Sequence, residues 1–213
     1  MKASDKATLF ILTASLAVLP WYVVGPWMFL VYYLPKAPGF RAPVTVAAMH
    51  LLYLLPLAAF RCFGLFYPLK EGVSYLDGED FSPWWAGHQI QSVFIGIPQL
   101  EVALKLVPGL FSLWLRAWGS KVGSSVYWTP RVEIVDRSLM DIGDRVIFGH
   151  KIECFAHTIK PKNGQLILYV RRIAIGSDVF LGAGTRIGPG VRIEAGVNVP
   201  ILTDLFMNKK VSA

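Results

Sequence analysis

The chain has 213 residues, 54% hydrophobic and 16% charged, with mean hydropathy +0.48, net charge +7 and a pI of about 9.5. Soluble domains carry roughly a quarter charged residues, so composition excludes an ordinary solvated surface along the whole chain. The basic residues are scattered and accompany no recognition motif, which excludes nucleic acid and favours anionic lipid headgroups; Cys62 and Cys154 stand in unlike segments and exclude a disulfide framework.

From Ala7 to Leu34 there is no charge, a run long enough to cross about 30 Å of hydrocarbon. Pro20 and Pro26 would kink it, as membrane helices tolerate. The aromatic second half (Trp21, Tyr22, Trp27, Tyr32, Tyr33) is too extended for a cleaved signal peptide. A polar turn, Lys36 to Arg41, precedes a second charge-free run, Val44 to Phe60, closed by Arg61. These features predict a transmembrane helical hairpin over residues 1–75, with His50 a packed or interfacial side chain. Over 76–120 the apolar pattern is interrupted by Pro83, His88, Gln89, Pro98, Lys105, Pro108 and Arg116. Amphipathic helices lying in the membrane interface are expected there, anchored by Trp114 and Trp118.

Six-residue units follow. Ile175-Gly-Ser-Asp-Val179-Phe, Leu181-Gly-Ala-Gly-Thr185-Arg, Ile187-Gly-Pro-Gly-Val191-Arg and Ile193-Glu-Ala-Gly-Val197-Asn run in phase, and Val199 begins another. Ile142-Gly-Asp-Arg-Val146-Ile and Phe148-Gly-His-Lys-Ile152-Glu match the same template, as do units starting at Val122, Trp128 and Ile134. A helix, with 3.6 residues per turn, cannot keep a six-residue aliphatic period on one face, whereas a β-solenoid buries one such residue per unit. The phase slips by two residues between Ile134 and Ile142 and fails between Cys154 and Ile175. Within the second gap Asn163-Gly164 signals a tight turn, so a hairpin insertion over 158–172 is expected in a solenoid spanning 121–213.

The repeats over roughly 120–200, with the Leu113–Gly123 leader ahead of them, resemble the hexapeptide-repeat acyltransferase superfamily, which folds as a left-handed parallel β-helix. The apolar N-terminal half and Phe155-Ala156-His157-Thr158 are similar to its membrane-embedded subgroup, including the C-terminal part of poly-lysine synthetase-type proteins. The implied fold is transmembrane and interfacial α-helices followed by that β-helix, in a multi-pass membrane protein with a cytoplasmic solenoid. The implied activity is transfer of an acyl group, most simply acetyl, from acetyl-CoA or another acyl-CoA to a hydroxyl or amine near the membrane. No metal is implied. Implied partners are membrane lipids, acyl-CoA, a membrane-proximal acceptor and further copies of the chain as dimer or trimer. The alternative is a non-catalytic membrane scaffold, or one half of a two-part enzyme.

The resemblance puts the general base at His157, and histidine suits that task because its ordinary pKa lies near neutrality. A base needs a partner to orient its other nitrogen. Glu153 and Asp141 rank first for that role and Asp136 after them; His150 is a further candidate for the same cleft. Ala183, Gly184, Thr185 and Arg186 are expected along the pantetheine arm, and Arg186, Arg192, Lys209 and Lys210 near the phosphates. Glycines at coil corners are also explained by positive φ alone.

Overall fold

The computed structural model describes residues 38–76 and 82–212, which divide into two compact units. In one unit, helix α1 (Pro38–Phe66) packs on α2 (Pro83–Gly96). α2 opens on Pro83, whose fixed φ and missing N–H suit a first helical turn. Phe60 lies over Gly87, where an added Cβ would stand 2.9 Å from the ring, so the small residue sets how closely the helices approach. Tyr53 stacks on Phe94 with ring centroids 5.9 Å apart, and Leu52, Ile90 and Val93 are buried beside them.

This corrects the expected membrane architecture. Among the described residues no helix is long and apolar enough to cross a membrane. A span needs about 20 predominantly apolar residues, and His50 and Pro56 interrupt the apolar run of α1 before Arg61 closes it. The expected N-terminal transmembrane helices and multi-pass membrane location are therefore not borne out among the described residues, and the Ala7–Leu34 run lies outside them.

The second unit comprises Lys70–Ser82 and Ile97–Ala213. Its centre is a parallel β-helix with three faces. The first face stacks β2 (Lys121–Val122), β5 (Met140–Ile142), β10 (Ile173–Ile175), β13 (Arg192–Ile193) and β16 (Lys210–Val211). The second stacks β3 (Tyr127–Trp128), β6 (Ile147–Phe148), β11 (Phe180–Leu181) and β14 (Asn198–Val199); the third stacks β4 (Glu133–Ile134), β7 (Glu153–Cys154), β12 (Arg186–Ile187) and β15 (Asp204–Leu205). Nearly every two-residue strand points its first side chain outward and buries its second, so one aliphatic or aromatic residue per unit fills the core. Trp128 stacks on Phe148 at 4.3 Å in the coil above. Val146, Ile152, Val179 and Val191, fifth in their units, are at most 1% exposed.

Glycine serves two separate purposes. At Gly143 an added Cβ would lie 2.5 Å from the backbone nitrogen of Ser177, so stacking of coils leaves no room for a side chain. At the fourth place of most units the chain turns in the left-handed region, with Gly190 at φ 75° but Arg145, Lys151, Asp178 and Asn208 at 54–60°. The first purpose demands glycine and the second only favours it.

Two irregularities interrupt the coils at one corner, between the third face and the first. In the first coil residues 135–139 form a bulge, with Leu139 N–H bonded to Asp136 O at 3.0 Å. In the second coil the chain leaves as an antiparallel hairpin, β8 (His157–Lys162) and β9 (Gln165–Val170), turning through Asn163 and Gly164, both at positive φ. β1 (Gly72–Tyr75) adds to β9 as a third antiparallel strand.

Ahead of the first coil, α3 (Gln99–Lys105) and α4 (Leu110–Trp118) pack against each other, and α4 packs against β2. α4 stops at Gly119 in the left-handed conformation, with Gly119 and Ser120 N–H capping Arg116 and Leu115 carbonyls. It buries Phe111, Trp114, Leu115 and Trp118, spaced as one helical face. Trp114 and Trp118 are 7% and 0% exposed, so they pack as core rather than as headgroup anchors. Phe111 meets Trp128 edge-on at 5.0 Å, and Trp128 Nε1–H donates to Ser112 Oγ at 2.8 Å.

Candidate active site

The two irregular segments meet. Coils one and two are offset by 20 residues, since Ile134 pairs with Cys154, so the bulge stands directly against the root of the hairpin. Asp136 Oδ2 lies 2.7 Å from His157 Nδ1 and accepts the Ala156 backbone N–H at 2.7 Å. The Asp136 side chain is 3% exposed and that of His157 is 18% exposed. An ionised carboxylate only accepts hydrogen bonds, so Nδ1 carries the proton and Nε2 is the basic nitrogen of the ring. The imidazole is anchored at its root as well, because His157 pairs with Val170 and Arg171 N–H donates to Ala156 O at 2.8 Å.

Beneath the bulge lies a buried ionic strut. Arg137 Nε and Nη2 donate to Glu101 Oε1 and Oε2 at 2.6 and 3.1 Å, Trp114 Nε1–H donates to Glu101 Oε1 at 3.0 Å, and Arg137 Nη1 donates to Val135 O at 3.1 Å. Arg137 and Glu101 side chains are 2% and 4% exposed. Ser120 Oγ–H donates to Arg137 O at 2.7 Å and accepts Met140 N–H at 2.9 Å. The residue next to Asp136 is thus tied to α3 and to the start of the first coil.

The other candidates spread elsewhere. Glu153 points outward from β7, level with Glu133 and Arg186, and Asp141 points outward from β5 between Lys121 and Ala174. The carboxylate that meets His157 is therefore Asp136, which sequence proximity placed last. Its signal lies in the coil offset: adding 20 residues to Asp136 gives Ala156, next to His157. His150 is exposed at the corner between the second and third faces, where its carbonyl accepts Gly184 N–H at 2.8 Å. Ala183, Gly184 and Thr185 turn at this same corner one coil on. Thr185 is fully buried and its hydroxyl donates to Gly182 O at 2.7 Å, while Gly184 takes φ 73°. Arg186 is held by Asp204 through a fork of 2.7 and 2.6 Å, and that hydrogen bonding keeps the Asp204 carboxyl below its usual range. Lys210 pairs with Glu194 at 2.9 Å. Cys154 lies at the core of the third face, where burial pushes its thiol pKa up and makes it a packing residue.

No protein-family profile matches the chain, and no curated protein does. Among solved structures, a hexapeptide-repeat acetyltransferase from Vibrio cholerae complexed with acetyl coenzyme A is 17% identical, with TM-score 0.42 over 64% of this chain and 89% of that one. A maltose O-acetyltransferase from Clostridium difficile is 15% identical, with TM-score 0.39 over 56% and 80%. A galactoside acetyltransferase in complex with coenzyme A is 16% identical, with TM-score 0.34 over 54% and 76%. The β-helix itself rests on this chain's own strand ladders, and the site on its own Asp136–His157 pair.

Proposed function

We propose that the protein is an acyltransferase that moves an acyl group, most simply acetyl, from acyl-CoA to a hydroxyl or amine. The observation that carries this reading is the Asp136–His157 pair at the hairpin root, on a solenoid whose repeats resemble those of the hexapeptide-repeat acyltransferases. His157 Nε2 accepts the proton of the acceptor O–H or N–H as that atom attacks the thioester carbonyl. Asp136 stabilises the imidazolium that forms. The tetrahedral intermediate expels the CoA thiolate, which takes the proton back from His157; the thioester C–S bond breaks, the ester or amide bond forms, and CoA leaves as the thiol.

His157 and the Ala183–Arg186 turn occupy different corners of one solenoid. A complete site then takes the base from one copy and the pantetheine-facing turn from another, in a homodimer or homotrimer. The outer side of the second face supports this, because Ile147 and Phe180 form a register-matched apolar pair, 43% and 44% exposed.

The test is melting temperature with and without acetyl-CoA for the wild type and His157→Ala. A ligand that binds only the folded state raises it by mass action. Stabilisation in both proteins, with acyl transfer lost in the variant, supports the reading; no shift with acetyl-CoA or longer acyl-CoAs sinks it.

A further inference from the structure

A second site lies away from the Asp136–His157 pair. A cleft of about 690 Å³ opens between the α3–α4 connection and the first coil, and none of its lining residues belongs to that pair. Its volume falls in the range of about 300–1,000 Å³ typical of small-molecule sites. Two cations line it. Lys105 Nζ donates to Val132 O at 2.6 Å and sits 4.2 Å from the Phe111 ring centroid. Arg116 donates from Nε to Val122 O at 2.8 Å and from Nη2 to Gly123 O at 2.7 Å.

Like several other cations of the chain, neither has a carboxylate partner among the described residues, but these two share one cleft. Arg137, Arg145, Arg172, Arg186 and Lys210 each have a carboxylate within 4.0 Å, whereas among the described residues neither Lys105 nor Arg116 does. The acidic groups felt by Lys105 are Glu101, committed to Arg137 and Trp114, and Glu133, which acts only at a distance. Burial pulls the Lys105 pKa down to about 8; Glu101 and Glu133 offset part of that penalty and the nearby Arg137 charge adds to it. Carbonyl acceptors fix both side chains without neutralising them, and each keeps N–H groups to offer. The rest of the lining includes Leu106, Val107, Tyr127 and Trp128, the first three 68%, 52% and 60% exposed.

We propose that this cleft binds a small amphiphilic anion, with its carboxylate or phosphate group between Lys105 and Arg116 and its apolar body along Leu106, Val107 and Tyr127. A bound anion compensates the half-buried ammonium, so affinity falls as pH rises past about 8 and Lys105 loses its proton.

The test is isothermal titration of the full chain with octanoate, octyl phosphate and neutral octanol, each below its micelle concentration. Saturable binding of at least one anion is expected, weaker by about tenfold or more in Lys105→Met and in Arg116→Met, the loss that follows from removing one charge-assisted partner. Octanol is expected to bind weakly and alike to all three proteins. The two anions separate a carboxylate from a phosphate preference. Absence of saturable binding by either anion at millimolar concentration overturns the proposal, as does anion affinity unchanged in both variants. If one variant loses its melting transition, the comparison of wild type with the other variant decides.

Discussion

The Glu101–Arg137 strut offers a prediction that needs no substrate. Arg137→Met removes the guanidinium and leaves the Glu101 carboxylate, 4% exposed, deprived of both donors from Arg137. Breaking one partner of a buried pair costs about 3–5 kcal/mol, whereas replacing both with apolar residues of similar volume is often close to neutral. Glu101→Leu strands the arginine in turn and also takes the acceptor from Trp114 Nε1. The double variant Glu101→Leu/Arg137→Met therefore costs about 1–3 kcal/mol, the figure for one buried donor losing its acceptor. Adding the two single losses would give at least about 6 kcal/mol, so the coupling amounts to several kcal/mol. At about 2–4 °C per kcal/mol for a chain of this size, each single variant should melt roughly 10 °C lower and the double variant only a few degrees lower. Thermal and denaturant melts of the four proteins at one pH make the measurement. Additive single losses, or an Arg137→Met loss under about 1 kcal/mol, would refute the strut as an energetic unit.

Further expectations can be checked on the same protein. Lys105→Met should raise the melting temperature at pH 7, because the Lys105 pKa, about 8 in the fold, lies below the ordinary value near 10.4. Between those values the unfolded chain binds more protons, so the penalty is full below about pH 8 and gone above about pH 10.4; the advantage of the variant should vanish at high pH. Cys62 is exposed and Cys154 buried, so a thiol reagent should modify one cysteine in the native protein and the second only in denaturant. Asp136→Asn should keep the fold, since an amide oxygen placed at Oδ2 can still accept from Ala156 and His157. It loses the charge that stabilises the imidazolium, so acyl transfer should fall by about 10–150-fold, equivalent to the 1.5–3 kcal/mol of a charged hydrogen bond; unchanged transfer would refute the role given to Asp136.

The solenoid core was legible because its signal is local. Inward residues from Val122 to Val211 recur every six positions, with wider steps only at Ile134–Ile142 and Cys154–Ile175, and both interruptions mark the candidate site. Asn163-Gly164 was legible for the same reason, since both residues of the turn take the positive φ those types accept. The carboxylate partner was less legible, because proximity in sequence favoured Glu153 while the vertical stacking of coils delivers Asp136. The helical half misled for a different reason. Hydropathy counts apolar side chains and says nothing of what covers them. Trp114 and Trp118, which read as headgroup anchors, pack in the core with ring centroids 5.5 Å apart, and in the second apolar run Tyr53 stacks on Phe94 and Phe60 lies over Gly87.

The central claim is that His157, oriented by Asp136, is the base of an acyl transfer. Its most direct test is release of CoA thiol from acetyl-CoA in the presence of a panel of sugar, amino-acid and alkyl hydroxyl or amine acceptors, comparing wild type with His157→Ala. Acceptor-dependent release is expected to fall by about 10²–10⁴-fold in the variant, the contribution of a positioned general base. Acceptor-dependent release that persists at the wild-type rate in a folded His157→Ala protein would contradict the claim.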